Sequence, residues 1–294
     1  MQEKTSRFRA VDALLILMIV LPILFGIVLQ IATKPPSEGI AISGARIFFT
    51  IPFFFQDIPI TESQVNSWIV VVALLGLCLY LTHGIATKTK TRRQHFAEMI
   101  VEKVTNMVRG NMGEYFTGFG PFIAAILGLS AFSSLMTLVG LYPPTSDINV
   151  VAGWAILVFI LITYYKLKGG ILHYMKSYCE PVPLFAPMNL VSEIATPVSM
   201  AFRHYGNVLS GTVISTLVAA ALQGISAMTL GWFWGQIPFL QIGIPAVLSL
   251  YFDLFSGCLQ AFIFAMLTML YVSGGFPAEQ YEKRRLRRSQ KKAS

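Results

Sequence analysis

The chain has 294 residues, of which 55% are apolar and only 12% charged, and its formal net charge is +8. Soluble domains carry about a quarter charged residues, so this chain has too little charge to cover a surface in water. An ordinary soluble domain is excluded, and a bilayer is the solvent that the composition fits.

The first ten residues, MQEKTSRFRA, are charged and lead into an apolar run over 11–33. That pattern resembles a secretory signal, but the run is long for one and ends in no small-x-small cleavage site. The preferred reading is a retained anchor helix. Further runs cover 67–85, 120–142 and 149–166, each near the length that crosses a bilayer core of about 30 Å with about 20 helical residues. Two longer stretches follow, 184–223 and 239–273. At 1.5 Å per residue each could reach about 50–60 Å, so they must tilt steeply, bend or lie partly inside protein. Six crossings place 19 of the 22 Lys and Arg residues on the side of the N-terminus and leave Lys34 and Arg46 outside. This asymmetry puts both termini in the cytoplasm. The remaining cation, Arg203, falls inside the membrane.

Between the spans, residues 34–66 form an outer segment whose aromatic stretch IFFTIPFFF, 47–55, is too short to cross and is expected at the interface. In residues 94–112, Phe96, Ile100, Val104 and Val108 recur every four residues, with Met99 and Met107 beside them. This predicts an amphipathic helix on the cytoplasmic membrane face, or else a connecting helix packed on protein. The turn YPPTSDINV, 142–150, ends in Asp147, a suitable helix N-cap. Cys78, Cys179 and Cys258 show no metal spacing and are read as free thiols. The tail after Phe276 is basic and suits water or anionic lipid headgroups.

Arg203 is the central residue. A cation near mid-membrane costs at least a few kcal/mol, and a guanidinium does not escape by losing its proton. It needs an anionic partner or a wet cavity; the plainer alternatives are snorkelling to the interface or a structural pair with an acid. Ser199, Arg203, Asn207 and Gly211 recur at spacing four and are expected on one face, with Gly206 and Ser210 beside it. Small residues there would let another helix pass closely. Glu193 lies ten residues earlier, about 15 Å along a helix, with Pro197 between; it is an acid for a cytoplasmic water path or simply one at a helix start. On the sixth stretch, Asp253, Gly257 and Gln260 stand at i, i+4 and i+7. They suit a wet path, or Asp253 is a structural partner of Arg203.

These residues resemble a known family. The a subunit of F-type ATP synthases carries S-x-x-x-R-L-x-G-N-x-x-A/S-G in its penultimate membrane helix. Here Ser199, Arg203, Gly206, Asn207, Ser210 and Gly211 match in register, with His204 in place of the usual Leu. The segment QAFIF, 260–264, and the turn PPTSDIN are also similar to the family's. Thr212 stands where many members have Glu or His, and Asp253 where some have His or Glu. The resemblance covers about residues 67–275.

The resemblance implies an all-α integral membrane protein of about six membrane helices, the last two long and strongly tilted along a rotating ring of c subunits, plus the cytoplasmic-side amphipathic helix. Residues 1–33 would be an anchor, 34–275 the ion-translocating domain and 276–294 a basic tail. Two offset half-channels would pass protons, or Na⁺, to and from the ring carboxylates. Asp253, Gln260 and Asp147 would serve the outer half-channel and Glu193 the cytoplasmic one. Arg203 would separate them, with Asn207 and Ser199 on its helix. Implied partners are the c-ring, peripheral stalk b-type subunits and membrane lipid. No nucleic acid, cofactor or metal is expected, and a bacterial inner membrane is the expected location. The chain has no G-x-x-x-x-G-K-[S/T] loop and no H-E-x-x-H, so ATP chemistry would belong to other subunits. The competing reading is a stand-alone transporter or channel with a midplane Arg/Asp site.

Overall fold

The computed structural model describes residues 2–33, 44–52, 57–85, 91–179, 182–234, 243–279 and 281–282. Their apolar runs form helices because a bilayer core supplies no water to satisfy backbone groups, and a helix satisfies its own. In chain order the helices are α1 (Gln2–Ala32), α2 (Glu62–Thr82), α3 (Arg92–Met112), α4 (Gly120–Leu135), α5 (Ile148–Leu167), α6 (Ile171–Tyr178), α7 (Ala186–Trp234), α8 (Ile244–Ser249) and α9 (Gly257–Gly274). Among the described residues, six segments are long and apolar enough to cross a membrane, ending with Pro183–Ser226 and Val247–Gly274.

Helix α7 runs unbroken for 49 residues, through Pro197. At 1.5 Å per residue that is about 73 Å, more than twice a bilayer core, so steep tilt is unavoidable. Pro197 lies inside the helix and does not end it. Between α8 and α9 the helix continues as one widened π segment, Leu250–Ser256. The sequence stretch over 239–242 lies outside the described residues.

The outer segment departs from the helical plan. Strands β1 (Ile47–Ile51) and β2 (Ile58–Thr61) pair antiparallel, with a register shift between Ile47 and Phe49. β-Branched and aromatic residues favour this pairing. Only part of the expected interfacial stretch, 47–52, is described, and most of it is this hairpin. Thr61 then caps α2: its backbone N–H donates to Gln64 Oε1 at 3.3 Å. The turn before α5 is as expected. Asp147 Oδ1 accepts from the Asn149 backbone N–H at 2.9 Å, and a short helical turn, Pro144–Ser146, precedes it.

Packing is uneven. Of the six spans, that of α9 is the most buried and that of α7 the least. One apolar core joins Val108, Ile123, Val158, Met200, Phe264 and Met269 from α3, α4, α5, α7 and α9. A second, at the outer end, joins Ile60, Ile69, Val70, Met136 and Leu141, with Ile23 and Ile27 of α1 against it. Close helix approach depends on Gly257: a Cβ there would stand 2.6 Å from Ser134 Cβ on α4. Small residues at such crossings replace the hydrophobic drive that lipid does not supply.

The amphipathic helix is α3, capped by Thr91, whose Oγ1 accepts from Gln94 N–H at 3.3 Å. It divides along its length. Phe96, Met99, Ile100 and Val101 are exposed, whereas Val108 and Met112 enter the core. The second half is thus packed on protein, and the first half leaves an apolar face uncovered within the chain. All three cysteines are free.

Candidate functional site

Arg203 is exposed on α7, and among the described residues it makes no ion pair or hydrogen bond. The structural pair with Asp253 is absent. The expected single stripe is split. Ser199, Arg203 and Ser210 are exposed and Gly206 is half-buried, whereas Asn207 is half-buried and Gly211 is buried. A spacing of four advances 40° past a full turn at each step, so three steps carry the stripe about 120° around the helix. The outward line runs Ser199, Arg203, Gly206, Ser210, and a Cβ at Gly206 would meet nothing within 4 Å. The inward line runs Met200, His204, Asn207, Gly211.

The inward line locks onto the π segment. Asn207 Nδ2 donates to Ser256 Oγ at 2.8 Å, and Ser256 Oγ lies 3.1 Å from Asn207 Oδ1. At Gly211 an added Cβ would be 3.1 Å from Phe252 Cβ. Asp253, half-buried on the π segment, accepts a hydrogen bond from Ser249 Oγ one turn earlier. Gln260 is buried, one turn after Ser256. A widened turn shifts everything after it around the helix axis, and such turns cluster at functional sites. Asp253 and Gln260 are thus not on the simple i, i+7 face that spacing implied.

His204 is fully buried. Its Nε2 lies 3.2 Å from Ser130 Oγ on α4, and its ring meets Trp154 of α5 and Phe264 of α9 edge-on at 6.0 Å and 5.6 Å. Nδ1 has no partner.

Two cavities with polar groups in their walls lie toward opposite ends. The outer one, about 550 Å³, is lined by residues including Thr61, Gln64, Ser67, Ser133, Asp147 and Trp154. Asp147 is fixed at its edge by the α5 cap and by a hydrogen bond from Ser63 Oγ. Asn66 Nδ2 donates to the Tyr142 carbonyl at 2.8 Å, tying α2 to the same turn. Asp253 and Gln260, assigned by sequence to the outer path along with Asp147, are not among its lining residues.

The cytoplasmic-side cavity, about 540 Å³, is lined by residues including Lys166, His173, Asn189, Glu193, Thr196 and Tyr271. Glu193 pairs with Lys166 Nζ at 3.0 Å, accepts from Tyr174 OH at 3.2 Å and accepts also from Tyr178 OH. Burial, and next the Glu193 carboxylate, push the Tyr178 phenol well above its ordinary range. It stays protonated and remains a donor. Neither cavity contains Arg203.

Sequence reasoning singled out Glu193 but missed Lys166, Tyr174 and Tyr178 as its partners. The two tyrosines stand four apart on α6, and that spacing was the available signal. Ser256 and Ser249 were missed as well; each lies four residues from a residue that was named. Among the described residues no group of three or more His, Cys, Asp or Glu is placed to hold a metal.

Comparison with known proteins identifies the family. Residues 64–273 match the family described as ATP synthase A chain. ATP synthase subunit a 1 of Crocosphaera subtropica is 29% identical over 229 residues, covering 77% of this chain and 91% of the relative. ATP synthase subunit a of Bacillus pumilus is 31% identical over 230 residues, covering 74% and 93%. The sodium ion specific ATP synthase subunit a of Propionigenium modestum is 30% identical over 240 residues, covering 76% of each. A stand-alone transporter is not favoured by these likenesses. The chain belongs to the ATP synthase A chain family and is an ion-translocating, multi-pass membrane subunit of an F-type ATP synthase.

Proposed function

We propose that Arg203 divides two offset water paths and acts on ionised carboxylates of a passing c-ring. The observation that carries this reading is an exposed cation with no partner among the described residues, on the least buried span, flanked by Ser199, Gly206 and Ser210. A fixed guanidinium favours the ionised form of a nearby carboxylate. A ring site arriving beside it releases its ion, and reloads after passing. The same charge repels cations and opposes a direct leak. Each charge crossing 100 mV releases about 2.3 kcal/mol, and several such steps per product sustain rotation.

Asp147 serves the entrance of the outer path and Glu193 the wall of the cytoplasmic one. Asn207, held to Ser256, and the buried Gln260 supply hydrogen-bonding amides behind the outward line of α7. Asp253 is the acid of the last helix. The chain carries no ATP chemistry itself; that belongs to soluble partners, while the c-ring and b-type stalk subunits complete the membrane sector. A bacterial plasma membrane is the location that relatives such as the Bacillus pumilus subunit support. Protons are the proposed ion, and ATP-driven transport that requires added Na⁺ would replace them by Na⁺.

The decisive experiment is ATP-driven ion pumping in inverted vesicles, wild type against Arg203→Ala, normalised to assembled complex. Loss of pumping with the complex assembled is expected. Near-normal pumping would remove the role given to Arg203.

A further inference from the structure

The residue after Arg203 takes no part in the mechanism above, yet among the described residues it is the largest fully buried polar side chain on α7. Consecutive helical residues point about 100° apart, so His204 faces the bundle while Arg203 faces out. α7 has few inward holds because it is the least buried span. Arg203 contributes none. His204 touches three other helices at once: Ser130 of α4 by a hydrogen bond, Trp154 of α5 and Phe264 of α9 by ring edges.

We propose that His204 is a positioning residue that fixes the rotation of α7 about its own axis and so holds Arg203 turned toward the ring-facing side. This rests on the reading of Arg203 as the separator. An apolar side chain in the same place could slide against Trp154 and Phe264 with little loss. A hydrogen bond is directional, and turning the helix would leave buried polar atoms unpaired. Ser130 is itself fully buried, so it has no water to fall back on. Three residues later on the same inward line, the Asn207–Ser256 pair makes a second polar hold. A 20° rotation moves a point about 8 Å from a helix axis by about 3 Å, which is enough to break a contact of hydrogen-bond length.

The imidazole acts here as a neutral wedge. The groups that face it, Ser130, Trp154 and Phe264, include no carboxylate and no cation, and Arg203 points the other way. An isolated charge in such a setting is strongly disfavoured. With Nδ1 unpartnered, Nε2 alone makes the polar hold.

The test uses the assembled complex in inverted vesicles, with pumping and passive leak both expressed per complex. His204→Ala is expected to lower pumping about tenfold and raise leak, and Ser130→Ala to lower pumping about threefold because the ring contacts remain. His204→Gln, whose amide can still reach Ser130 but cannot titrate, is expected to retain pumping within about twofold. Normal pumping and leak per complex in His204→Ala, with only less complex present, overturns the proposal in favour of a purely structural contact. Gln as defective as Ala overturns it in favour of a titrating ring. If Arg203→Ala pumps normally, it is the separator reading that fails, whatever His204 does.

Discussion

Glu193 and Arg203 are two costly charges ten residues apart on the same helix, and the fold treats them in opposite ways. Glu193 is neutralised by Lys166 and bonded by two tyrosine hydroxyls, with its side chain 6% exposed. Arg203 is exposed and meets no counter-charge among the described residues. A charge that has found its partners inside the subunit is part of a wall. A charge left without one, on a span that little covers, would on the proposed function be held ready for a partner that comes and goes. The difference lies in the neighbours: α6 and the end of α5 close over Glu193, whereas the outward line at Arg203 is built of Ser199, Gly206 and Ser210.

The largest expected effect comes from deleting the unpaired charge: Arg203→Ala should abolish pumping while leaving assembly intact, read by vesicle acidification against complex content. Next is the reverse manipulation, which supplies Arg203 with a permanent partner. Gly206→Asp places a carboxylate three residues on, where a side chain has open space. Pumping should fall almost as far as for the deletion, at normal assembly; unaltered pumping would show that an unpaired Arg203 is not needed. Lys166→Met then converts the paired charge into an unpaired one. It should destabilise the complex by about 2 kcal/mol, less than the about 3–5 of a fully buried pair because Lys166 is partly exposed, and lower the denaturation midpoint more than the pumping rate. Smallest is Tyr178→Phe, which removes one donor to Glu193 and should cost about 1 kcal/mol in the same stability assay. A Tyr178→Phe effect larger than that of Lys166→Met would mean that hydrogen bonds, not the ion pair, keep Glu193 quiet.

Much of this was legible in the residues. The six spans follow from continuous apolar runs, and the positions of Lys and Arg order their ends. Arg203 stood out because nothing else in the fifth stretch carries a positive charge. The split of its stripe was not legible from a spacing of four, since drift around the axis shows only when neighbours are known. Phe202 and Ser210 prove exposed while Met200 and Gly211 are buried. The π segment was hidden for a related reason: LYFDLFS has no proline or glycine to mark a change of winding, and only its packing against Asn207 and Gly211 reveals it. The β-hairpin was missed because IFFTI reads equally well as an interfacial apolar patch. His204 was noticed only as a departure from Leu; its contact with Ser130, 74 residues away in the chain, leaves no periodic signal.

The lining of the outer cavity comes from two parts of the chain. Ile58, Pro59 and Thr61 precede residue 64, where the family match begins, whereas Ser133, Asp147 and Trp154 lie within that match. On the proposed function, hydration at the entrance, and the resistance it offers an arriving ion, would change through substitutions in a hairpin that lies outside the matched residues. The membrane interior, where Arg203 sits, would be untouched by such changes. On the proposed function, access and exchange would be separable in this chain, one tuned from the surface and the other set in the bundle.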